Sequence, residues 1–90
     1  MRIAINDKLE AINFISGNEI QEPKFQLAKA MLVGRRKKHF SQKQLSEVTG
    51  VTQADISRYE SGEGNPTLDT ICRIADGLGM NLKLFFEDFL

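Results

Sequence analysis

Between positions 41 and 60 the chain gathers hydrogen-bonding side chains at close spacing: Ser41, Gln42, Lys43, Thr52, Gln53, Asp55, Ser57 and Arg58. They do not compose a bond-breaking site. The sequence offers no Ser/His/Asp set and no pair of carboxylates at a plausible pocket, and it holds 1 Cys and 1 His in all. One Cys excludes a disulfide framework and a four-cysteine metal site, and one His excludes most imidazole catalysis and zinc chemistry. The glycine-bearing stretch Gly62-Glu63-Gly64-Asn65-Pro66 follows a predicted helix and lacks a phosphate-loop Lys. The expectation is a protein that is not an enzyme and takes no cofactor or metal. What these groups can do is recognise. An amide such as that of Gln53 can bond adenine N6 and N7 together, and Arg58 can meet a guanine edge or a phosphate. Gln42, opening a helix, can donate to a phosphate by its backbone N–H and its side chain.

Recognition of this kind needs a rigid presenter, and the punctuation of the sequence supplies one. Ser41 is a good N-cap for a helix from Gln42 to Thr49, and Gly50 is its stop. Thr52 is a second N-cap, opening a helix from Gln53 to Ser61 that Gly62 closes. Two short helices joined by Gly50-Val51-Thr52 must cross at a steep angle. Gly50 can take the positive φ that such a turn demands, and the small Ser46 sits where the helices approach. Leu45, Val51, Ile56 and Tyr59 would hold the pair against neighbouring helices, and this geometry can present the second helix to a major groove. Upstream, Pro23 opens a helix to about Lys38 whose apolar face is Leu27 and Met31 with Phe25, Ala28 and Leu32. Downstream, Thr67 caps a helix through Gly77 with Leu68, Ile71, Ile74, Ala75 and Leu78 at helical spacing, and Cys72 is expected in the core. His39 is expected in a loop.

Lys plus Arg is 12 and Asp plus Glu is 12, so the net charge is zero, but the charge is polarised. Residues 1–22 carry Arg2 and Lys8 against Asp7, Glu10, Glu19 and Glu22, a net −2. Residues 23–46 carry Lys24, Lys29, Arg35, Arg36, Lys37, Lys38 and Lys43 with no acid, a net +7. The remainder is net −5, with Arg58, Arg73 and Lys83 against eight acids. A localised basic block of this sort favours a phosphate-facing surface over a uniformly adhesive one. The run Arg35 to Lys38 also reads as an ordinary solvated helix end, where cations suit the dipole.

From Leu27 to Leu78 the chain resembles the lambda repressor-like, Xre/Cro-family helix-turn-helix domain. The resemblance rests on Arg35, Ser41-Gln42, Leu45, Gly50-Val51-Thr52-Gln53, Ile56-Ser57-Arg58-Tyr59-Glu60, Ser61-Gly62, Asn65-Pro66-Thr67-Leu68 and Ile74-Ala75. It implies an all-α fold: a compact bundle of about five helices with a helix-turn-helix over residues 23–90, here preceded by a short helical extension at 1–22. It implies a sequence-specific transcriptional repressor that binds a palindromic operator in double-stranded DNA as a homodimer. Base contacts would fall to Gln53, Ala54, Asp55, Ser57 and Arg58, and phosphate contacts to Ser41, Gln42, Lys43 and Thr52. Arg35 would pair internally with Glu60. Ala54 and Asp55 depart from the polar readers common in the family, since Ala54 offers only a methyl group and Asp55 repels phosphate.

A second likeness widens the reading. The stretch ESGEGNPTLDTICRIADGLGMNLKL with NEIQEPKFQLAKAM before it is similar to HigA-type antitoxins of HigB/RelE-type pairs. That implies a ribonuclease toxin as partner and repression of the shared operon, with residues 1–22 as the toxin-facing or dimer-facing element. Residues 4–15 have the spacing of a short amphipathic helix. In the tail, Leu82, Phe85, Phe86, Phe89 and Leu90 fit a helix, and Leu82 to Phe86 equally fits a short strand; helix is the favoured reading. Phe85, Phe86 and Phe89 are the first choice for the dimer contact. A 41% hydrophobic, 27% charged chain is too apolar for disorder. No apolar run approaches ~20 residues and the start does not resemble a secretory signal, so a cytoplasmic protein without a membrane anchor is expected.

Overall fold

The computed structural model describes residues 2–4, 22–86 and 88. The order of elements is β1 (Arg2–Ala4), α1 (Pro23–Lys38), α2 (Gln42–Thr49), α3 (Gln53–Glu60), α4 (Leu68–Gly77) and β2 (Lys83–Phe85). The fold class is that of a compact helical bundle with a helix-turn-helix, with four helices among the described residues where about five were expected.

Each helix begins where its local chemistry tells it to. Pro23 stands at the start of α1, where its missing N–H costs nothing. Ser41, Thr52 and Thr67 cap α2, α3 and α4, and each side-chain oxygen accepts an N–H three residues on. His39 ends α1 in the left-handed region at φ 58°, its N–H turned back to the carbonyls of Arg35 and Arg36. The four most deeply buried large side chains, Met31, Leu45, Ile56 and Ile74, come one from each helix. Leu27, Val51, Tyr59 and Leu78 complete the cluster. Burying one such side chain is worth about 1.5–3 kcal/mol, so the four helices share one core, with no helix stable alone. Gly77 lets α4 lie close on α2: a Cβ there would stand 2.5 Å from Thr49 Cγ2.

Five expectations are corrected. The favoured helix in the tail is instead the strand β2, paired antiparallel with β1 so that Arg2 faces Phe85, Ile3 faces Leu84 and Ala4 faces Lys83. Helical spacing in the tail is real, but backbone pairing with the other end of the chain outweighs it. Ala4 accordingly belongs to a strand and not to the start of a helix; the rest of the expected helix over 4–15 lies outside the described residues, as do Phe89 and Leu90. Cys72 is exposed, not core. It lies one residue, or about 100° of helix, past Ile71, in the outward sector shared with Asp69, Arg73 and Asp76. Phe25 is 51% exposed at the margin of the α1 apolar face. Gln26 beside it takes an interior place and the Phe25 ring lies over Gly62. Leu68, in the first turn of α4, is also exposed.

Candidate nucleic-acid interface

The helix-turn-helix is fixed first by bonds within a few residues. At the start of α2, Ser41 Oγ accepts from the Gln44 N–H at 3.0 Å while the Ser41 N–H donates to Gln44 Oε1 at 2.8 Å. Sequence reading found the cap but not this reciprocal box, although a Ser followed three residues later by Gln is its signature. In the turn, Gly50 adopts φ 77° and its N–H donates to the Ser46 carbonyl. Ser46 Oγ donates to the Val51 carbonyl at 2.6 Å. Thr49 Oγ1 donates to the Leu45 carbonyl and accepts from the Val51 N–H. Every polar backbone group of the turn named here therefore has a partner, and Val51 is driven into the core.

The result is a two-sided α3. Ile56 and Tyr59 face inward and are buried. Gln53, Ala54, Ser57 and Arg58, at helical spacing of one, four and five, share the outward face and are exposed, with Asp55 half-buried at its edge. Thr52 is exposed at the N-cap, its Oγ1 taken by the Asp55 N–H at 3.1 Å. Arg58 Nη1 stands 3.5 Å from Asp55 Oδ1. At the α2 end, Ser41 and Lys43 are exposed and Gln42 is half-buried.

One longer-range network holds this face in place. Arg35 on α1 donates from Nε to Glu60 Oε2 at 2.7 Å and from Nη2 to Glu60 Oε1 at 3.0 Å, and from Nη1 to the Phe40 carbonyl at 2.9 Å. Gln42 Nε2 adds a third donor to Glu60, at 2.9 Å from Oε1. Glu60 at the last turn of α3 is thus tied to both α1 and the start of α2. The pair is largely buried, with side chains 19% and 4% exposed. The hydrogen bonds that Arg35 donates to Glu60 raise the Arg35 pKa above its ordinary value against the opposing effect of burial. The Arg35 charge is spent inside the fold, so the exposed cations of the 23–46 block are Lys24, Arg36, Lys37, Lys38 and Lys43. The Gln42 link to Glu60 has no signal in the local sequence, since the two are 18 positions apart. One of the two N–H donors of the Gln42 side-chain amide is therefore engaged by Glu60.

Among the described residues no buried side-chain N or O lacks a hydrogen-bond partner, and no three His, Cys, Asp or Glu side chains are grouped as metal ligands. No helix among them is long and apolar enough to cross a membrane.

Comparison with known proteins agrees with this architecture. The helix-turn-helix family profile matches residues 34–85. An uncharacterised HTH-type transcriptional regulator of Haemophilus influenzae is 37% identical over 68 residues, 73% of this chain and 69% of the relative. The antitoxin HipB of Escherichia coli strain K12 is 36% identical over 59 residues, 66% of this chain and 67% of the relative. The cryptic phage CTXphi transcriptional repressor RstR of Vibrio cholerae is 36% identical over 42 residues, 47% of this chain and 38% of the relative. No solved structure gives a significant match. The chain belongs to the helix-turn-helix family, its turn and both motif helices lying within the matched residues.

Proposed function

We propose that this chain is a sequence-specific transcriptional repressor that binds a palindromic operator in double-stranded DNA as a homodimer. The observation that carries the reading is the two-sided α3, which turns Gln53, Ala54, Ser57 and Arg58 outward while Ile56, Tyr59 and the Arg35–Glu60 pair fix its other side. Gln53 suits adenine, Ala54 a thymine methyl group, and Ser57 either base type; Asp55 can accept from cytosine N4. Ser41, Lys43, Thr52 and the backbone N–H of Gln42 serve phosphates, beside the exposed cations at the end of α1. A single motif contacts few base pairs, so two copies on two half-sites multiply specificity. The exposed Phe85 and Phe86, 47% and 89% accessible, are the described part of the proposed dimer surface.

Fluorescence anisotropy on the duplex upstream of the chain's own reading frame, against a scrambled duplex, tests this. The Gln53→Ala/Arg58→Ala double variant should lose specific binding by roughly 30-fold or more, from two base contacts of ~1–3 kcal/mol each. Unchanged binding would reject α3 as the reader. Binding to random DNA should be weak and fall steeply with salt, because the chain is neutral overall and its cations lie in one block.

The likeness to the antitoxin HipB favours a second, compatible reading: the chain neutralises a toxin and represses the shared operon. The separate resemblance to HigA-type antitoxins points to a basic ribonuclease of HigB/RelE type as that toxin, with residues 1–22, net −2, as the element that meets it. A neighbouring reading frame whose product co-purifies with this chain supports it. A solitary gene, or a neighbour that elutes apart, removes it without touching the DNA reading.

A further inference from the structure

Arg58 has two chemistries open to it, a guanine edge or a phosphate, and its surroundings distinguish them. Asp55 lies one turn before Arg58 on α3, and its carboxylate Oδ1 stands 3.5 Å from Nη1 of the guanidinium. The Asp55 backbone is itself anchored, its N–H donating to the Thr52 cap at 3.1 Å. The two side chains are 41% and 57% exposed, so both reach the outward face that carries Gln53 and Ser57. Among the described residues, Asp55 is the one ionic or hydrogen-bonding partner of the Arg58 side chain. On the other flank, Nη2 lies 3.7 Å from where a Cβ on Gly64 would stand, so the following loop borders the guanidinium without covering it.

We propose that Arg58 reads a guanine and that Asp55 is its positioning residue, holding the guanidinium toward the base edge and away from phosphates. The inference rests on the DNA-binding reading above and assigns a base to one position of it. A guanidinium carries five N–H donors in a planar fork. With Nη1 turned to Asp55, Nη2 and Nε remain as two parallel donors, which is what guanine O6 and N7 require. These acceptors are neutral, so the nearby carboxylate does not oppose them. A phosphate in the same place brings a second anion beside Asp55, and like charges at that range repel. The Asp55–Arg58 pair has no net charge, so it releases few counterions from a DNA backbone. The pairing also removes part of the rotamer freedom that an exposed Arg otherwise loses on binding.

The test is selection of sites from a randomised double-stranded DNA library by the full chain, wild type beside Arg58→Ala, Asp55→Asn and Gln53→Ala, followed by salt titrations on the selected duplex. Circular dichroism checks that each variant is folded, as expected for substitutions at positions outside the core. Wild type should fix a guanine at one position that Arg58→Ala releases by about 10-fold or more, other positions keeping their preference. Asp55→Asn should weaken that guanine preference severalfold and tighten binding to random duplex, with a salt slope steeper by about one ion. Arg58→Ala that weakens all sequences alike and reduces the salt slope by about one marks a phosphate contact and overturns the proposal. Asp55→Asn with an unchanged guanine preference overturns the positioning role. If wild type enriches no sequence, the DNA reading itself fails; if it enriches one in which only Gln53→Ala changes a position, that reading stands and this inference falls.

Discussion

From Ser41 to Ser61 the backbone is set by residues close to it in sequence, whereas Lys83–Phe85 finds its strand partner at the opposite end of the chain, in Arg2–Ala4. The first region contains two capped helices, a glycine in the left-handed region and three side-chain bonds inside the turn. The second has three residues per strand and a β2 whose side chains are all exposed. A two-stranded ribbon of that size is marginal by itself. The contrast separates what a recognition element needs from what an edge needs. The motif must hold side chains to fractions of an ångström, so it is over-determined locally and then clamped once over long range. The ribbon has no such demand: β2 pairs with β1 through its backbone and leaves its own side chains exposed.

Four single substitutions and one double replacement probe the two regions. The largest effect is expected from Glu60→Ala, which strands the largely buried Arg35 guanidinium and the Gln42 amide; thermal or urea denaturation should show a loss of about 3–5 kcal/mol. Replacing both Arg35 and Glu60 by apolar residues of similar volume should recover much of it. Next comes Gly50→Ala. A Cβ there meets nothing within 4 Å, so the whole cost is the positive φ, about 1–2 kcal/mol in the same assay. Ser46→Ala removes the bond to the Val51 carbonyl and should cost about 1 kcal/mol. The smallest effect is expected from Leu84→Ser in the ribbon, 40% exposed, at under about 0.5 kcal/mol. If Leu84→Ser proved as damaging as Gly50→Ala, the ribbon would be part of the scaffold and the contrast would be lost.

The same division explains what could be read from the sequence. Pro23, Ser41, Gly50, Thr52 and Thr67 act on their own neighbourhoods, so the helices appear where their punctuation places them. Ile56 and Tyr59 against Gln53 and Ser57 give α3 its two sides by spacing alone. The ribbon was not legible, because Leu82 to Phe86 suits a helix or a strand equally and the deciding partner is remote. Cys72 shows the limit of an apolar residue type as a guide: the stripe of Ile71, Ile74 and Leu78 fixes the inward direction, and Cys72 lies to one side of it. Glu60 shows a different limit. Its pairing with Arg35 was expected from family likeness, but its third donor, Gln42, depends on how α2 is laid against the end of α3.

Amide chemical-shift mapping distinguishes DNA bound at the helix-turn-helix face from DNA bound on the α4–β2 side. The labelled full chain would be titrated with the duplex upstream of its reading frame. Large perturbations are expected at Ser41 to Lys43 and from Thr52 to Arg58, with the outward face of α4 at Asp69, Cys72 and Asp76 little changed. Perturbations concentrated on α4 and β2, with Gln53 to Arg58 unmoved, would contradict binding at the helix-turn-helix face.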